Sequence, residues 1–142
     1  MYYKEIRVWV PSEVVLDIRF LKHDKFFVYN FLNKPYITAA EIVGTRNFIG
    51  FGADGNIYLL DVENNRTVYA SSALAVFARQ LKLYRDRTAP AGQNGENETK
   101  NVVQDFSEQL LKLDNNAFSN ENSFWSGVLK HMELDSIYEV KI

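Results

Sequence analysis

Two short apolar runs, Phe48 to Phe51 and Ile57 to Leu60, are separated by Gly52-Ala53-Asp54-Gly55-Asn56, and no other feature limits the fold of this chain so strongly. Runs of this length and type read as strands, and the Asp-Gly pair favours the positive φ angles that a tight hairpin requires. Glu63-Asn64-Asn65-Arg66 supplies a second turn and Thr67 to Ala70 a third strand. The middle of the chain therefore predicts an antiparallel meander.

Amphipathic segments on either side supply what such a sheet packs against. After Ser71 and Ser72, residues Leu74, Phe77, Ala78, Leu81 and Tyr84 recur at three- and four-residue spacing, which predicts a helix capped by one of the serines. Val102, Val103, Phe106, Leu110 and Leu113 form the stripe of a second helix over 100–114, broken by Asn115-Asn116. Phe124, Trp125, Val128, Leu129 and Met132 mark a third, beginning near Ser119 or Asn120.

The ends of the chain are patterned differently. Ile6, Val8 and Val10 alternate with Glu5, Arg7 and Trp9, as in a half-buried strand, and Pro11 ends it. Ser12 then caps a short helix through Val14, Val15, Ile18 and Leu21, with a strand as the alternative. Phe26 to Phe31 is aromatic and β-branched and reads as a strand, followed by a turn at Asn33-Lys34-Pro35. From Ser136 the tail alternates Tyr138, Val140 and Ile142 against Glu139 and Lys141, which predicts a final strand. The class is α+β, a central, largely antiparallel sheet with flanking helices. Its 142 residues make one domain, with a mobile loop over 86–98 where Gly, Asn and charge replace apolar periodicity.

Composition narrows the function. Residues 1–85 carry 11 Lys/Arg against 8 Asp/Glu, whereas residues 86–135 carry 4 against 9. No Lys/Arg cluster forms the phosphate-neutralising patch of a nucleic-acid binder, and the acidic second half suits a basic protein partner. Charges interrupt every apolar run well short of the roughly 20 residues that a membrane helix needs. Met1 to Glu5 lacks the basic and apolar regions of a secretion signal, so the expected compartment is the cytoplasm. Zero cysteines remove disulfides, thiol nucleophiles and Cys-type zinc sites together.

Candidate chemistry is sparse. His23 and His131 have no second imidazole at metal-binding helical spacing, and no G-x-S-x-G elbow is present. Gly50, Gly52 and Gly55 spell G-x-G-x-x-G, but the residues that follow are strand-like, whereas a dinucleotide site needs a helix there. Asp54, Asp61 and Glu63 lie close in sequence without the spacing of a calcium loop; they read as turn residues and, functionally, as partner contacts. No catalytic residue, metal ligand or cofactor site emerges.

The stretch from Phe48-Ile49-Gly50-Phe51-Gly52 through Asp61, the return to Thr67-Val68-Tyr69, and Ser71-Ser72-Ala73-Leu74 leading to Phe77 resemble the SUKH superfamily. Leu113-Asp114 to Ala117 and Ser123-Phe124-Trp125 are similar to the closing helix of its fourth subfamily, and the likeness covers about residues 35–134. It implies an α+β fold and a non-enzymatic immunity protein that binds and neutralises a bacterial toxin, often a nuclease or nucleic-acid deaminase. It carries over no catalytic residue; Gly50, Gly52, Ser72, Leu74, Phe77 and Trp125 match as scaffold. The residues themselves place the toxin contact at the acidic turns, Asp54, Asp61 and Glu63, with Tyr58 and Tyr69 as aromatic anchors. A non-catalytic scaffold domain of the same fold that binds another protein is the other reading.

Overall fold

A computed structural model describes residues 9–88, 96–119 and 121–140. The strands are β1 (Ile18–Phe20), β2 (Phe27–Phe31), β3 (Lys34–Ile42), β4 (Phe48–Phe51), β5 (Ile57–Asp61) and β6 (Arg66–Ser71). They form one sheet in the order β1-β3-β4-β5-β6, every pairing antiparallel. The long strand β3 takes β2 along its first half, Phe27 opposite Thr38, and β1 along its last three residues, Ile18 opposite Ile42. Three helices follow: α1 (Leu74–Thr88), α2 (Glu96–Leu113) and α3 (Phe124–Val140). The α+β class with an antiparallel sheet is thus the architecture observed.

The meander forms where the turn residues place it. Gly55 takes φ +82° between β4 and β5, and Asn65 turns the chain into β6 at φ +54°. The turn after β2 comes earlier than Pro35: Leu32 and Asn33 adopt φ +52° and +64°, and Lys34-Pro35 already belong to β3.

Five expectations are corrected. No helix follows Ser12; Leu16 and Asp17 turn the chain at positive φ and Ile18 enters β1, the strand alternative. β-Branched Val14, Val15 and Ile18 lose rotamer freedom in a helix, and the edge of β3 is there to pair with. The first turn of α1 is capped by neither serine: Ser71 is committed to pairing with Ile57, and the Ala73 carbonyl accepts the first helical bond from Phe77. α3 begins at Phe124, later than expected, because Ser123 is its cap, accepting from the Ser126 N–H through Oγ and the Gly127 N–H through its carbonyl. The tail is helical through Val140, because extending an established helix gains one bond for each residue fixed. α1 also continues through Thr88 and α2 starts at Glu96, inside the stretch expected to be loop. The alternation at Ile6 and Val8 lies outside the described residues.

All three helices contribute to one core on one side of the sheet. Ile18, Ala40, Ile49, Ile57 and Ala70 from the strands meet Leu74, Phe77 and Leu81 of α1, Phe106 and Leu110 of α2, and Trp125 of α3. Trp125 is fully buried, its ring centroid 6.2 Å from Phe77, 5.8 Å from Phe106 and 5.0 Å from Phe124. Its indole N–H donates to Gln80 Oε1 at 3.0 Å, joining α3 to α1 by a polar bond inside the core.

Gln80 is fully buried and its Nε2 has no partner among the described residues, so Trp125→Phe leaves both ends of the amide unsatisfied. The expected loss is about 1–3 kcal/mol, read as a lower urea midpoint at unchanged m. Adding Gln80→Leu to Trp125→Phe should recover part of it, since removing both polar partners removes the unpaired group. Equal destabilisation by the single and double variants would contradict this assignment.

Candidate functional site

Alternation along each strand sends a second set of side chains to the face opposite the helices. Phe31, Tyr36 and Leu60 are buried there, with Tyr29, Phe48, Tyr58 and Val62 packed against them. Strand register extends the set: Phe27 lies opposite Thr38, Thr38 opposite Gly50, Gly50 opposite Tyr58, and Tyr58 opposite Tyr69. Phe27 is 41% exposed, while Tyr29, Phe48, Tyr58 and Tyr69 are half-buried. This aromatic face is the candidate site.

Glycine makes room for it. A Cβ on Gly50 would stand 3.0 Å from the Ile37 carbonyl oxygen, tighter than most real Cβ contacts. One on Gly52 would approach the Asp54 carboxylate to 3.2 Å and the rings of Tyr36 and Tyr58 to 3.5 Å. The two glycines therefore let neighbouring backbone, Leu60 and the rings of Tyr36 and Tyr58 close onto the sheet where side chains would otherwise stand.

Around Tyr58 four side chains form a continuous series. Asp54 accepts from the Asn56 N–H at 3.0 Å through Oδ1, and from Tyr58 Oη at 2.5 Å through Oδ2. The rings of Tyr58 and Tyr69 meet edge to face, 6.2 Å apart at 84°. Tyr69 Oη donates to Asp114 Oδ2 at 2.8 Å, and Asp114 Oδ1 accepts from the Asn116 N–H at 3.0 Å. Burial raises the Tyr58 pKa, and its hydrogen bond to Asp54 adds to the shift. Burial, then Asp114, drives the Tyr69 phenol well above its ordinary range.

Of the residues expected at a partner contact, the structure brings Asp54, Tyr58 and Tyr69 together and separates the other two. Asp61, at the far end of β5 from Asp54, is turned away from the aromatic face and only 4% exposed. It accepts from Asn64 N at 3.3 Å and from Arg66 Nε at 2.9 Å. Burial alone would raise its carboxyl, but Arg66 and Asn64 outweigh it and hold the group below its ordinary value. Asp61 therefore builds the hairpin and offers no free carboxylate. Glu63 is exposed in the 3-10 turn Val62–Asn64, and its N–H donates to Asn47 Oδ1. The three carboxylates do not converge, which an acid–base site would require.

Sequence reasoning missed Asp114, read only as the end of a helix; it lies 45 residues from Tyr69, and no local pattern links the two. Among the described residues no group of His, Asp and Glu could hold a metal ion. A groove of about 420 Å³ beside α3, lined by Leu59, Val68, Phe124 and Met132, carries Arg66 at its rim, but Asp61 already holds that guanidinium.

The fold and site thus define a one-sided α+β sheet protein with a partly exposed aromatic face opposite its described helices. The family model described as SUKH-4 immunity protein matches residues 40–131, and the chain belongs to that family. Comparisons with curated proteins and with solved structures gave no match.

Both raised phenols keep their protons in the fold after unfolded tyrosines, near their ordinary 10.0, have begun to ionise. Their contribution is whole below that value and is lost as pH rises through the folded-state values. Urea midpoints should therefore decline from about pH 9 to 11, with tyrosinate absorbance lagging behind that of the unfolded chain. Tyr69→Phe should flatten the decline; an unchanged slope would show that Tyr69 is not shifted.

Proposed function

We propose that this chain neutralises a cognate bacterial toxin by protein–protein contact, and that it does so through the aromatic face of its sheet. The observation that carries the reading is the one-sided cover: α1, α2 and α3 pack on one face, while the other presents Phe27, Tyr29, Phe48, Tyr58 and Tyr69 with partial exposure. Tyrosines and other large aromatics are the usual anchors of protein interfaces, where they add contact area at low entropic cost. An immunity family supplies the class of partner.

The toxin contact takes in the exposed carboxylates Asp54 and Glu63 at the two turns, with Tyr58 and Tyr69 as anchors. Asp61 supports that surface from behind through Arg66. The partner is a basic protein, such as a nuclease or nucleic-acid deaminase, bound in the cytoplasm over a total area of about 1,600 Å². Inhibition comes from occupying the toxin surface, with no bond made or broken, no cofactor, and neither nucleic acid nor membrane as ligand. No helix among the described residues is long and apolar enough to cross a membrane.

Co-expression with candidate toxin domains of these two types tests the reading, scored by survival and co-purification. The wild-type chain should rescue growth against one of them. Tyr58→Ala and Asp54→Lys should weaken rescue, the latter mainly by slowing association at low salt. Leu111→Lys, at an exposed position of α2, should leave it unchanged. Rescue from none of the toxins would favour the scaffold reading, and loss of rescue only with Leu111→Lys would move the contact to the helices.

A further inference from the structure

Four ion pairs form among the described residues: Glu41 has Arg19, Asp61 has Arg66, and Arg85 serves both Glu13 and Asp86. The two carboxylates that bracket the Tyr58–Tyr69 pair differ. Asp54 and Asp114 take hydrogen bonds from phenols and backbone, but neither has a cationic partner among the described residues. Asp54 is exposed, and its three bonds, one on Oδ1 and two on Oδ2, use three of about four carboxylate acceptor sites.

Resting on the immunity reading, we infer that the outer side of the Tyr58–Tyr69 pair beside Asp54 is an arginine subsite: a guanidinium from the partner protein lies against the Tyr58 and Tyr69 rings and donates to Asp54. The chemistry fits on three counts. Half-buried phenol rings attract a cation that approaches their faces. A guanidinium is planar, weakly hydrated and carries five donors, so it can stack on a ring and reach the Asp54 carboxylate at once, which an ammonium cannot. Asp54 is exposed and both rings keep part of their surface in water, so one group can reach all three from solvent. Asp114, buried behind Tyr69, adds negative charge without needing contact.

The test uses the intact chain and a small probe, so that it does not depend on finding the toxin. In amide NMR titrations, N-methylguanidinium should give saturable shifts centred on Gly50, Gly52, Tyr58 and Tyr69, and methylammonium should bind more weakly. Asp54→Asn keeps the turn's acceptor but removes the charge, and should weaken probe binding about three- to fivefold, the scale of an exposed cation–π contact or charge pair. Tyr58→Leu should weaken it as much, with the spectrum of each variant reporting that the fold persists. No saturable shift, equal binding of the two cations, or affinity unchanged in Asp54→Asn would each overturn the subsite. A chain that rescues cells yet ignores the probe loses this inference alone; one that takes up the probe but neutralises no toxin loses the immunity reading alone.

Discussion

The burial of one indole organises the helical half of this molecule. Trp125 touches Phe77 of α1, Phe106 of α2 and its own neighbour Phe124, and it spends its single donor on Gln80. Because all three helices meet at one residue, they share one face of the sheet rather than dividing between two. The strand residues on that side, Ala40, Ile49 and Ala70 among them, are small or aliphatic and accept the helices closely. Close packing of this kind tolerates little change in volume, which makes the arrangement discrete.

The consequence falls on the opposite face. With none of the described helices above it, the sheet covers itself with its own rings: Phe27 on Phe48, Tyr29 on Phe31 and Phe48, Tyr36 on Tyr58, Tyr58 on Tyr69. Leu60 and Phe31 are sealed beneath, while the outer rings keep part of their surface in water. The two tyrosines donate hydrogen bonds to Asp54 and Asp114, which order both rings ahead of any contact and so lower the side-chain entropy that binding there would cost. The aromatic character of this face is therefore a product of the packing on the other.

Much of this was legible because the signals were local. The hairpin of β4 and β5 followed from apolar runs around Asp54-Gly55, and the helical stripes at Phe77 and Leu81, Phe106 and Leu110 are the buried positions observed. The resemblance over about residues 35–134 and the family match over 40–131 rest on the same segments. What was not legible depended on distant partners. Val15 and Ile18 suit a helical stripe as well as a strand, and only the free edge of β3 decides. Tyr138 and Val140 alternate as strand residues do, yet the chain there continues a helix begun at Phe124. Within the site, Asp54 and Tyr58 are four residues apart and their link is local, whereas the meeting of Tyr69 with Asp114 requires the whole fold. Asp61 shows the opposite limit: a turn carboxylate beside an arginine looks like surface until the hairpin buries it.

Hydrogen–deuterium exchange of the chain with and without the toxin proposed as its partner tests the division of labour between the two faces most directly. Protection is expected in β2, β4, β5 and β6 around Phe27, Phe48, Tyr58 and Tyr69, with the exposed side of α2 at Leu111 exchanging as in the free protein. Protection confined to α1 and α2, with the aromatic strands unaffected, would contradict the assignment of recognition to the uncovered face of the sheet.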